Sequence, residues 1–120
     1  MTDLIWVAFL LFTKHFIIDF PLQGEYQWSN KGTYGHPGGV LHAGIHSIGT
    51  FLSLYWYAPE SALLCSTIDM FIHYHVDWAK MRLNDLFEWK PDTHKEFWIL
   101  LGFDQYLHAL TYIGFLAFIS

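Results

Sequence analysis

Cysteine occurs once in this chain, at Cys65, which excludes a disulfide framework and a thiolate zinc site. Charge is scarce as well. Asp, Glu, Lys and Arg make up 14% of the 120 residues, against about 25% in an ordinary soluble domain. Six Lys plus Arg stand against eleven Asp plus Glu, and the formal charge of −5 argues against nucleic acid as a partner. No low-complexity run, glycine-rich phosphate loop or nucleophile elbow is present. What abounds is apolar: 53% of the residues are hydrophobic, 20% are aromatic and the mean hydropathy is +0.25. Disorder is thereby excluded, and the length allows a single domain, 1–120. A membrane protein is the first expectation, with a soluble or interfacial bundle of greasy surface as the alternative.

Four apolar stretches, roughly 4–20, 39–58, 61–81 and 97–119, approach the ~20 residues that a spanning helix needs. Pro21 closes the first, Pro37-Gly38-Gly39 opens the second, and Ala58-Pro59-Glu60-Ser61 turns into the third, with Ser61 as its expected N-cap. The stretch from Arg82 to Glu96 reads as a polar loop, and so does Gln23 to Pro37. Met1-Thr2-Asp3 carries no positive charge and no small-residue cleavage site follows, so the first helix is expected to be retained. If all four stretches span, Lys14, Lys31, Lys80, Arg82, Lys90 and Lys95 share one side. The positive-inside rule makes that side cytoplasmic and puts both termini outside. Trp6, Trp56, Trp78, Trp89 and Trp98 then read as interfacial anchors. The predicted fold is all-α: an antiparallel four-helix membrane bundle with the bilayer as partner and homo-oligomers left open.

The chemistry lies in pairs at i and i+4, which share a helix face about one turn apart. They are His15 with Asp19, His42 with His46, Asp69 with His73, and Asp104 with His108; Asp77 extends the third. Each pair sits toward the cytoplasmic half of its helix, so all nine residues are expected to meet in the bundle core. An aspartate at the centre of a membrane helix costs about 2.5–3.5 kcal/mol on insertion scales, so these groups need partners. A structural His–Asp network or a proton relay would serve, but facing helices commonly build metal sites from such residues. The expected ligands are His15, Asp19, His42, His46, Asp69, His73, Asp104 and His108, holding one or two divalent ions, zinc first, then manganese or iron. Asp69 and His73 are expected to touch the metal, and Asp77, nearer the mouth, to be the base. Lys80 and Arg82 read either as topology anchors or as phosphate clamps. Gln23 and Gln105 suit hydrogen bonding to the ligands, His75 an interfacial position, and His36 and His94 solvated loops.

The motifs His15-Phe-Ile-Ile-Asp19-Phe-Pro-Leu-Gln23, His42-Ala-Gly-Ile-His46, Asp69-x3-His73-x3-Asp77-Trp-Ala-Lys80 and Asp104-Gln105-x2-His108 resemble the signatures of a bacterial and phage membrane family known only as a domain of unknown function. More distantly, they look similar to LexA-binding inner-membrane metal-dependent hydrolases, and through them to the all-helical zinc phospholipase C group. The resemblance implies a multi-pass protein of the bacterial plasma membrane and a metal-dependent phosphoesterase. The expected function is hydrolysis of a lipid or lipid-linked phosphate, with Asp77 and Lys80 as catalytic residues. A di-iron membrane oxidase or hydroxylase and a non-enzymatic metal- or proton-handling protein are the alternatives.

Overall fold

The computed structural model describes residues 2–120. Among them are five helices and no strand: α1 (Thr2–Asp19), α2 (Glu25–Trp28), α3 (Pro37–Tyr55), α4 (Pro59–Phe87) and α5 (Lys95–Ile119). The four long helices close a ring in which α1 packs on α3 and α5, and α4 packs on α3 and α5. Helices α1 and α4 face each other diagonally across the centre, so polar side chains from all four meet there. Short α2 lies against α3 and roofs one end.

Local signals explain most boundaries. Asp3 sits in the first turn of α1, where the helix dipole favours a negative charge. Pro21, lacking an N–H, keeps α1 from continuing. Helix α3 opens at Pro37 behind an imidazole cap, because His36 Nδ1 accepts from the Gly38 N–H at 2.9 Å. His36 is therefore a cap and not a free loop residue. Helix α4 begins at Pro59 and not after Ser61, since proline at the first helical position needs no N–H partner. It also runs past residue 81 to Phe87, because Arg82 to Phe87 contains no breaker. It stops at Glu88, which takes a left-handed conformation (φ 54°). Two supposed loops thus contain helix: α2 in the first, and the end of α4 in the second.

Two glycines let elements approach. A Cβ on Gly38 would lie 2.3 Å from the Tyr26 carbonyl oxygen, so only glycine allows α2 to rest on the start of α3. A Cβ on Gly49 would lie 3.0 Å from the Lys14 side chain, which runs across α3 at that point.

The interior has two halves. Val7, Leu11, Leu54, Ala62, Cys65, Tyr112 and Phe115 form an apolar plug at one end. Beyond Tyr112 the interior turns polar, while Phe9, Leu52, Phe71 and Phe103 stand exposed on the outer faces.

The membrane expectation does not survive. Among the described residues, no helix is long and apolar enough to cross a membrane. The reason lies in what each helix carries: Asp3, Lys14 and Asp19 on α1, and Asp69, Asp77, Lys80, Arg82 and Asp85 on α4. His42, His46, Ser47, Thr50 and Ser53 dilute α3, and Asp104, Gln105 and His108 dilute α5. The four spans, the multi-pass plasma-membrane placement and the outside termini fall together. With them goes the reading of all the basic residues as topology anchors, because Lys31 is buried.

Candidate metal centre

The i, i+4 spacing does here what helical geometry allows. His15 Nε2 lies 3.0 Å from Asp19 Oδ2, His73 Nε2 3.1 Å from Asp77 Oδ2, and His108 Nε2 3.0 Å from Asp104 Oδ1. His42 and His46, with ring centroids 4.8 Å apart, both aim Nε2 at Asp19 Oδ1, at 3.0 and 2.8 Å. The His73 ring is stacked between His46 (3.7 Å) and His108 (3.9 Å) and so links the two sides of the centre. All nine acidic and imidazole groups are buried.

Two sets of these residues can hold a metal ion. Asp19, His42, His46 and His73 form one, and His73, Asp77 and His108 the other; in each set the ligand atoms lie within 4.8 Å of one another. A tetrahedral ion with bonds of about 2.0 Å needs its ligand atoms roughly 3.3 Å apart, close to the 3.0, 2.8 and 3.8 Å at which His42, His46 and His73 Nε2 stand from Asp19 Oδ1. The donors fit such an ion. His42 Nδ1 stands 3.0 Å from the Gln27 side-chain oxygen Oε1, a contact that holds the ring in place. Its Nε2 lies 3.0 Å from Asp19 Oδ1 and 3.4 Å from His73 Nε2, so a bound ion would take the place of the hydrogen bond to Asp19. Asp77 Oδ2 sits among His73 Nε2 (3.1 Å), Lys31 Nζ (3.3 Å) and His42 Nε2 (3.5 Å), and Asp104 Oδ1 lies 3.0 Å from His108 Nε2.

Asp69 does not join either set. It pairs with Lys14 Nζ at 3.2 Å and accepts from Thr50 Oγ1, where the spacing predicts a metal contact. Asp77, expected as the base, takes a ligand's position between His73, His108 and Lys31 (3.3 Å). Burial would raise its pKa, but His73 and Lys31 outweigh that and hold it well below the usual carboxylate range. Such a group is a poor proton acceptor. His15 also lies outside both sets. Its Nδ1 meets Tyr112 Oη at 2.8 Å and its Nε2 meets Gln105 Oε1 at 2.9 Å, so it braces Asp19 from behind. Asp104 pairs with Lys80 at 3.2 Å and with His108.

The charges are graded across the centre. Burial opposes ionisation of Asp19, but hydrogen bonds from His15, His42 and His46 outweigh it and depress its pKa strongly. Burial pushes His46 far down and His73 to about 4. Burial also works against the His108 cation, yet Asp104 and Asp77 lift it to about 9. Lys80 is raised against burial by Asp77 and Asp104, whereas burial lowers Lys14 in spite of Asp69. Lys14, Lys31 and Lys80 each stand beside one aspartate, Asp69, Asp77 and Asp104 respectively.

A family model described as a protein of unknown function, DUF3307, matches residues 7–120. The chain belongs to the DUF3307 family. No curated protein and no solved structure matches it, and nothing supports the likeness to LexA-binding hydrolases. The match spans every helix that contributes to the centre of this DUF3307 chain.

Sequence reasoning missed the buried cations Lys14 and Lys31, and their neighbours Tyr112, Thr50 and Gln27. One signal was available for Lys14: it stands in the middle of an apolar stretch beside His15, where a solvated lysine is out of place. Lys31 and Gln27 gave none, because they reach the centre only through the fold of α2.

Proposed function

We propose that this chain is a metal-dependent hydrolase that cleaves a phosphoester. One observation carries the reading: Asp19, His42, His46 and His73 converge from three helices with ligand atoms within 4.8 Å, deep in a polar core. A divalent ion bound there supplies Lewis acidity to a phosphoryl oxygen and lowers the pKa of a water. His73 belongs to both ligand sets, and its Nε2 can serve one ion, so the reading is one ion per chain. Lys31 and Lys80 favour an anionic substrate. Each is held by an aspartate beside the centre, and an ammonium group matches the negative charge of a phosphoryl group. In the reaction, a water oxygen bonds to phosphorus, the ester P–O bond breaks, and the departing alcohol oxygen gains a proton.

Elemental analysis with a phosphatase assay tests this. The purified protein is expected to hold one divalent ion per chain and to hydrolyse p-nitrophenyl phosphate. Chelation should abolish turnover, zinc or manganese should restore it, and His73→Ala should retain no ion. A chain that neither carries nor takes up a divalent ion would overturn the reading.

A further inference from the structure

A cavity of about 380 Å³ opens beside the centre, between the α2 end of the fold and the segment joining α4 to α5. This falls within the ~300–1,000 Å³ of small-molecule sites. Its walls differ in chemistry. Lys31 and Lys80 line it and carry their ammonium groups inward to Asp77 and Asp104, which joins the cavity to the metal ligands. Trp28 and Trp89 stand on its walls. Asn84 and Gln23 also line it, and the Asn84 Oδ1 and Gln23 Oε1 atoms are buried with no hydrogen-bond partner. Asn84 is only 8% exposed. An unpaired buried carbonyl is costly to maintain, and each of these two gains a donor when its side chain turns toward a ligand in the cavity.

We infer that this cavity binds the organic part of the substrate, and that the substrate is a phosphomonoester of nucleotide type. The inference rests on the hydrolase reading and names its substrate class. The phosphoryl group takes the Lys31–Lys80 end, next to the metal ligands. A flat ring stacks on the tryptophans, and its amino or hydroxyl donors satisfy Asn84 Oδ1 and Gln23 Oε1. Asp85, also on the wall, repels a phosphate at the outer end and accepts from a sugar hydroxyl, which sets the orientation. A lipid headgroup without ring donors would leave both carbonyls unpaired.

Calorimetric titration of the whole chain with adenosine 5′-monophosphate and with inorganic phosphate tests this. The wild-type chain is expected to bind the nucleotide at least about tenfold more tightly than phosphate. Asn84→Leu should weaken the nucleotide by roughly tenfold, the worth of one buried hydrogen bond. It should leave phosphate affinity and metal content unchanged, and its melting temperature should hold or rise, because an unpaired carbonyl is removed. Trp89→Leu, at a half-buried position, should also weaken the nucleotide alone, and it decides the matter if the Asn84 variant does not fold. Equal binding of nucleotide and phosphate would overturn the inference. So would an Asn84→Leu chain that melts lower yet binds the nucleotide as the wild type does, since the residue would then be structural. The two readings fail separately. Metal-dependent phosphatase activity without nucleotide preference removes only the cavity assignment, and nucleotide binding by a chain that takes up no metal removes only the hydrolase.

Discussion

Replacing Lys14 by methionine tests whether Asp69 is a counter-ion or a metal ligand. Lys14 Nζ meets Asp69 Oδ2 at 3.2 Å, Tyr112 Oη at 2.9 Å and His46 Nδ1 at 3.1 Å, and Asp69 itself is 0% exposed. Methionine keeps most of the stem that lies against Gly49 but removes the charge. Asp69 then keeps only the Thr50 hydroxyl as a donor. Breaking a buried ion pair from one side costs about 3–5 kcal/mol, because the remaining charge is uncompensated. For a chain of this size that is a fall of about 10–20 °C in melting temperature. The double variant Lys14→Met/Asp69→Asn removes both charges and leaves Thr50 an oxygen to bond, so it should regain more than half of the loss. Thermal denaturation of the two single variants and the double variant measures this, with metal content read on the same samples. Asp69→Asn alone should retain metal. If Lys14→Met melts within about 1 kcal/mol of the wild type, or if Asp69→Asn loses the ion, Asp69 is not the partner of Lys14 and the ligand assignment is wrong.

The metal-free protein should be most stable near pH 6–7. Burial holds His73 neutral down to about 4 and His46 lower still, while the unfolded chain takes up protons near 6.5, so stability falls as the pH drops from 6.5 through 4. His108, raised to about 9, contributes fully below 6.5 and loses its contribution as the pH rises through 9. A melting profile that stays flat from pH 4 to 9.5 would contradict both assignments. Gly38→Ala drives a methyl group into the Tyr26 carbonyl at 2.3 Å and should cost about 1–3 kcal/mol. Because α2 also carries Gln27, the partner of His42 Nδ1, metal affinity should fall with it; calorimetric melting and metal titration check both, and an unchanged midpoint would refute the close packing of α2 on α3.

Much of the site was legible along the chain because helical spacing converts sequence separation directly into shared direction. His15 with Asp19, His73 with Asp77 and Asp104 with His108 each contact within their own helix, as i, i+4 residues must when both turn inward. The all-α character and the four long helices follow from the same periodicity. The spacing is blind to what crosses between helices. It could not tell that His42 and His46 share Asp19 from another helix, or that Asp69 meets Lys14 while Asp77 meets the imidazoles.

Composition misled where it was read as a position in space. Apolar content points to spans, but the carboxylates, lysines and imidazoles in the same stretches leave no described helix able to cross a membrane. The basic residues looked sided because Lys14, Lys31 and Lys80 are gathered at one centre, not because they face one compartment. Helical spacing alone dictates which groups have to be buried together, since ionisable residues at that spacing in apolar segments have nowhere else to be satisfied. Which anion each cation neutralises is set by how the helices pack. That choice depends on the diagonal placement of α1 and α4 and on the roof made by α2, and ion pairing acts over a few ångströms that sequence distance does not encode.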